Sequence, residues 1–138
     1  MMVEVAEMKF GVPCNTRVWF SSRAASELGR MRKKGDPNGA FWKKFRQCAM
    51  DGFGLYESVG IVKHEWSQVY RFGIKSSLFR LIGFYADNGK GEFIVMDAFD
   101  KLGQSLTAPQ RARIEEVARV KREADWKKEN DEYPRLSQ

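Results

Sequence analysis

The stretch that decides the fold is VYRFGIKSSLFRLIGFYADNGKGEFIVMDAFDK, residues 69–101. It reads as three successive strands with basic residues threaded between apolar ones. Val69, Tyr70, Phe72 and Ile74 form the first apolar run, Phe79, Leu81, Ile82, Phe84 and Tyr85 the second, and Phe93, Ile94, Val95 and Met96 the third. Ser76-Ser77 is a short turn between the first two. Asp87-Asn88-Gly89-Lys90-Gly91 is a strong hairpin signal between the second and third, because Asn and Gly tolerate the positive φ of tight hairpin turns. Connections this short predict antiparallel neighbours. Arg71, Lys75, Arg80 and Lys101 punctuate the pattern. A sheet that buries one face and keeps cations on the other offers a surface for phosphate chemistry.

Upstream, Thr16–Phe20 is rich in β-formers and reads as a strand. Ser21 or Ser22 can cap a helix running to about Lys34, with Ala24, Ala25, Leu28 and Met31 on one side. Gly35 ends it, and Asp36-Pro37 opens a second helix to about Met50, with Phe41, Phe45, Cys48 and Ala49 at helical spacing. Gly52 and Gly54 break that pattern, and residues 55–68 are ambiguous between loop and strand. Downstream, Thr107-Ala108-Pro109-Gln110 is a capping-box start. Its helix is expected to reach Glu129, with Ile114, Val117, Ala118 and Ala124 as the apolar side. Residues 1–15 read as irregular, and the tail 130–138 as frayed. The order β-α-α-β-β-β-α describes one α+β domain over residues 1–138. An N-terminal strand and a helical hairpin pack on a small antiparallel sheet, followed by a C-terminal helix.

A chain of 138 residues with 43% hydrophobic residues can bury a sizeable core, which excludes wholesale disorder. Its net charge of +6 lies in one place. Between residues 21 and 50, Arg23, Arg30, Arg32, Lys33, Lys34, Lys43, Lys44 and Arg46 face only Glu27 and Asp36. That excess suits a polyanionic partner and equally suits a solvated helical face. Cys14 and Cys48 are too few for a disulfide scaffold and lack zinc-site spacing, and Asp97 with Asp100 makes no convincing metal site. No cofactor is implied. Glu4 and Glu7 interrupt any secretory leader, and no apolar run approaches a membrane span, so a reduced, cytoplasmic protein is the expectation.

The element order, together with VYRFGIKSSLFRLIGFY, resembles the RelE/HigB superfamily of bacterial and phage toxins from type II toxin–antitoxin systems. The quoted stretch is similar to that family's basic strand, Ser-Ser-type turn and Tyr/Phe-Arg strand. EFIVMDAFDKLGQSLT is similar to the HigB-like ending, and TRVWFSSRAASELGRM to the opening strand and first helix. The resemblance covers roughly residues 16–125. It implies a metal-free endoribonuclease that cuts mRNA on the ribosome by 2′-hydroxyl attack, and a cognate antitoxin from an adjacent gene as partner. That route needs a base, an acid and cations for the charged transition state. By resemblance, Arg71 contacts phosphate, Arg80 stabilises the phosphorane, and Lys101 neutralises or protonates the leaving oxygen. Asp97 stands where HigB-like members often carry histidine, and is the candidate base. The second basic position of the first strand is Gly73 here, a gap that Lys75 is placed to fill. The helical cations Lys33, Lys34, Lys43, Lys44 and Arg46 extend the RNA-binding surface.

Plainer roles stay open for the same residues. Arg80 can pair with Asp97 across the sheet, while Arg71, Lys75 and Lys101 can be ordinary solvent-face residues. His64, the only histidine, reads as a surface or packing residue. Trp42 is either core or a base-stacking platform, and Trp126 is a candidate contact for the antitoxin. A non-nuclease member of the fold, either a ParE-like gyrase inhibitor or an inactive RNA-binding protein, is the alternative function.

Overall fold

The computed structural model describes residues 2–34, 39–86, 90–101, 105–123 and 125–129. In chain order the elements are β1 (Met2–Met8), β2 (Arg17–Ser21), α1 (Ser22–Lys34), α2 (Ala40–Asp51), a short 3-10 helix (Phe53–Tyr56), β3 (Val62–His64), β4 (Tyr70–Phe72), β5 (Phe79–Tyr85), β6 (Glu92–Asp100), α3 (Ala108–Glu123) and β7 (Asp125–Glu129). The strands form one sheet in the order β3-β4-β5-β6-β2-β1-β7. The α+β class holds, and the three strands of the 69–101 stretch are antiparallel neighbours as their short connections require.

The sheet is wider than the expected small antiparallel one, and it is mixed. β2 runs parallel to β6, which the long connection between them, the helical hairpin followed by β3–β5, makes possible. Residues 1–15 are not wholly irregular, since Val5–Met8 pair antiparallel with Val18–Ser21. The last helix does not reach Glu129. It stops at Glu123, and Asp125–Glu129 runs parallel to Met2–Ala6 as the edge strand β7. That strand has no apolar alternation of its own; pairing with β1 supplies the partner its backbone needs. The Asp36-Pro37 helix start, the Asp87–Gly89 part of the hairpin turn and the 130–138 tail lie outside the described residues.

Alternation along the strands sorts the core into two faces. On one face Val18, Phe20, Phe72, Phe79, Leu81, Phe93 and Val95 pack with Leu28 and Met31 of α1 and Phe41, Phe45 and Cys48 of α2. Phe45 sits at its centre, its ring 5.0 Å from Phe72 and 5.6 Å from Phe53 in edge-on geometry. On the other face Trp19, Ile82, Phe84, Ile94 and Phe99 meet Ile114, Val117 and Ala118 of α3. The starts of α1 and α3 are capped by side chains, whereas α2 begins after Gly39 without one. The Ala24 N–H donates to Ser21 Oγ at 3.1 Å. Thr107 and Gln110 exchange hydrogen bonds of 3.1 and 3.2 Å, the reciprocal capping box read from the sequence.

Two local distortions shape the α3 side of the sheet. The register of β5 against β6 slips between Ile82 and Gly83, so that Ile82 faces Asp97 while Gly83 faces Val95, and Met96 is the bulged residue. Gly83 allows this, because a β-carbon there would lie 2.1 Å from the Ile94 carbonyl oxygen. At the β3–β4 turn, Val69 N–H donates to Trp66 O at 2.9 Å, and the central residues Ser67 and Gln68 both have positive φ, 51° and 67°. That is the backbone of a type I′ hairpin turn, built without the Asn-Gly pair that suits it. Trp66 and Val69 pack in the α3-side core and hold the turn in place. Replacing Gln68 with Gly is expected to raise unfolding stability by about 1 kcal/mol, read as a higher denaturant midpoint at unchanged slope; a lower midpoint would show that the turn is unstrained.

Candidate functional site

Four basic side chains meet on the α3 side of the sheet, one from each of four adjacent strands or their ends. Lys63 of β3 lies opposite Arg71 of β4, and Arg71 lies opposite Ile82 of β5. Arg80, two residues before Ile82, lies opposite Phe99 of β6. Lys101 follows Phe99 by two, and its N–H donates to Leu78 O at 2.8 Å, which fixes the end of β6 beside the start of β5. Neighbouring Val62, Phe72 and Leu81 point into the opposite core, as alternation demands. With strands about 4.8 Å apart, the row spans roughly 14 Å.

The groups feel one another. Lys101 is held below its ordinary value of 10.5, first by partial burial and then by Arg71, Arg80 and Lys63, with Glu65 acting in the opposite sense. Arg80 is lowered by burial and by Arg71. Arg71 Nε stands 3.2 Å from Glu65 Oε1, both side chains only 14% exposed. Glu65 is thus the carboxylate that the fold sets among these cations, and the β3–β4 turn positions it, since Glu65 N–H donates to Val69 O at 2.9 Å.

Arg80 has no carboxylate partner among the described residues. Its Nη1 donates to Ser77 O at 2.5 Å, Phe79 O at 2.8 Å and Ile74 O at 3.5 Å, so the head is held against the 74–79 turn by carbonyls. The cross-sheet pair with Asp97 does not form. Asp97, 4% exposed, accepts Arg113 Nε and Nη2 at 2.8 and 2.6 Å and the Ala98 N–H at 2.8 Å, with Arg23 Nε 3.3 Å away. Asp97, expected as the base beside Arg80, is thus paired with Arg113 instead. Asp97 shares the α3 face with Arg80, opposite Ile82, but Arg113 of α3 takes both its oxygens in a bidentate pair.

The remaining sequence candidates lie elsewhere. Lys43, Lys44 and Arg46 belong to α2, which covers the opposite face of the sheet, so they do not extend the row. Lys44 leans on Gln47 and the Tyr56 ring. Lys75 is exposed in the turn after β4. Lys33 and Lys34 close α1, and their side chains, like that of Trp126, lie outside the described residues. His64 is exposed on the hairpin side, its ring 5.2 Å from Tyr70. Trp42 packs against Phe10 and Phe45 at 5.6 and 5.9 Å, which favours the core reading over a stacking platform. A cleft of about 600 Å³ opens between the α1 start, β1 and α3, lined by Arg23, Asp97, Arg113 and Val117 among others. None of the four row cations lines it. Among the described residues, no three His, Cys, Asp or Glu side chains are grouped to hold a metal ion, and no helix is long and apolar enough to cross a membrane.

Sequence reasoning missed Lys63 and Glu65. Their period-two spacing within IVKHEW was available, but the segment lacks the apolar run that marked the other strands. Compared with protein-family models, curated proteins and solved structures, the chain gives no match.

Removing Arg113 leaves the buried Asp97 carboxylate with only the exposed Arg23 and one N–H. Arg113→Met should therefore cost about 3 kcal/mol of stability, measured by denaturant titration, while leaving the chemistry of the cationic row intact. A loss below about 0.5 kcal/mol would mean that the pair is no more than a surface ion pair.

Proposed function

We propose that this chain is a RelE/HigB-type toxin, an endoribonuclease that cuts mRNA on the ribosome in the cytoplasm and is held in check by an antitoxin protein. The observation that carries the reading is the row Lys63, Arg71, Arg80 and Lys101, with Lys101 held below the ordinary lysine range by partial burial and then by its neighbours. The order of elements from β2 to α3 supports it too, since it follows the β-α-α-β-β-β-α succession once the short β3 is set aside.

The chemistry divides among these residues without a metal-bound step. Glu65, kept among cations, takes the proton of the ribose 2′-hydroxyl. The 2′-oxygen bonds to the adjacent phosphorus, and the bond from phosphorus to the 5′-oxygen breaks. Arg71 and Arg80 meet the extra negative charge of the phosphorane. Lys101 gives its proton to the departing 5′-oxygen, a task eased by its lowered proton affinity. The products are a 2′,3′-cyclic phosphate and a 5′-hydroxyl. One observation favours the alternative of a ParE-like gyrase inhibitor or an RNA binder that does not cut. Glu65 is itself paired with Arg71, and a site whose carboxylate stays paired binds phosphate without activating a hydroxyl.

Primer extension on cellular mRNA after induction should reveal discrete new 5′ ends, lost at least about 100-fold in Arg80→Ala. Intact mRNA with a DNA-damage response would select the gyrase alternative. In a purified assay the rate should fall as pH rises through the Lys101 transition, so the alkaline limb lies below 10.5. Lys101→Arg, charged throughout, should lower the rate and remove that limb; an unchanged limb would take Lys101 out of the acid role.

A further inference from the structure

By the family resemblance Gly73 stands at the second basic position of the first strand, and the structure shows what its missing side chain makes room for. A β-carbon on residue 73 would stand 2.3 Å from Arg80 Cδ, 2.5 Å from Nε and 2.8 Å from Cζ. The φ of Gly73 is not positive, so the backbone there does not ask for glycine. Space does. The backbone is also pinned, with Gly73 N–H donating to Ile61 O at 3.0 Å. Strand and side chain cannot both keep their places once a methyl is added, and the long arginine tail is the part free to leave.

We propose that Gly73 is a positioning residue: its bare α-carbon forms the slot through which Arg80 passes the end of β4, and so fixes the guanidinium where it acts on a phosphate. Arg80 thereby fills the gap in the cationic row, and Lys75, exposed in the turn, does not. The bonds to Ile74, Ser77 and Phe79 carbonyls all use Nη1. No described acceptor takes the Nε or Nη2 hydrogens, and these form the donor pair that engages two phosphate oxygens side by side. Holding the fork in place before substrate arrives spares the cost of ordering a flexible arginine.

The consequence for activity rests on the ribonuclease reading; the coupling between residues 73 and 80 does not. The test is a double-mutant cycle on the full chain with Gly73→Ala, Arg80→Ala and the double variant. Cleavage of mRNA is followed together with Tm and the Arg80 Nε–Hε NMR resonance, assigned by its disappearance in Arg80→Ala. Expected are a tenfold or greater drop in kcat for Gly73→Ala in the Arg80 background, less than twofold in the Arg80→Ala background, and a shifted or broadened Arg80 resonance. An unchanged resonance, or an equal loss in both backgrounds, would overturn the proposal. Should Gly73→Ala fail to fold, recovery of folding in the double variant supports the slot, and failure there too refutes it. A folded wild type that cleaves nothing sinks the ribonuclease reading alone, because the resonance still decides the slot.

Discussion

With no β-carbon at residue 83, β5 can close on β6 until its backbone meets the Ile94 carbonyl, and the register slips by one residue at that point. Much of the site follows from this slip. Beyond it Ile82 faces Asp97, Arg80 faces Phe99, and Lys101 arrives beside the start of β5. The same slip brings Asp97 onto the α3 face, where Arg113 of α3 occupies both its carboxylate oxygens and keeps it out of the cationic row. A regular ladder would have sent alternate residues of β6 to the other face and dismantled both arrangements.

The cationic row is electrostatically unfavourable as it stands. Arg80 loses hydration without gaining a carboxylate, and Arg71 and Lys63 act against the charge on Lys101. Folding tolerates this because carbonyls satisfy Arg80 Nη1 and because Glu65 offsets Arg71. A phosphate entering the row would relieve the repulsion that folding leaves in place. Strain near the same place, two side-chain-bearing residues with positive φ in the turn after Glu65, fits a region where local stability has yielded to geometry.

Two faces of one sheet also divide the protein's positive charge. The segment 21–50 holds the excess in the sequence, yet α2 packs on the hairpin face while the row belongs to the α3 face. Charge density along the chain was therefore a poor guide to where cations converge. Arg30 illustrates the point: it is drawn to Glu27 and Asp100 and lies over the Phe79 ring, a packing and pairing role.

Period-two alternation and turn residues made β4, β5 and β6 legible, and helical spacing did the same for α1, α2 and α3, with capping side chains marking the starts of α1 and α3, because these signals are local. The same local signal marked Arg71, Lys75, Arg80 and Lys101 as cations in or after apolar runs, and the family resemblance chose Arg71, Arg80 and Lys101 among them. The partners could not be read off. Whether Asp97 meets Arg80 or Arg113, whether β2 runs parallel to β6, and whether 125–129 continues a helix or joins β1 are questions of pairing between distant segments. Such pairing depends on register, bulges and the space a glycine leaves open, and those quantities exist only once the sheet has assembled.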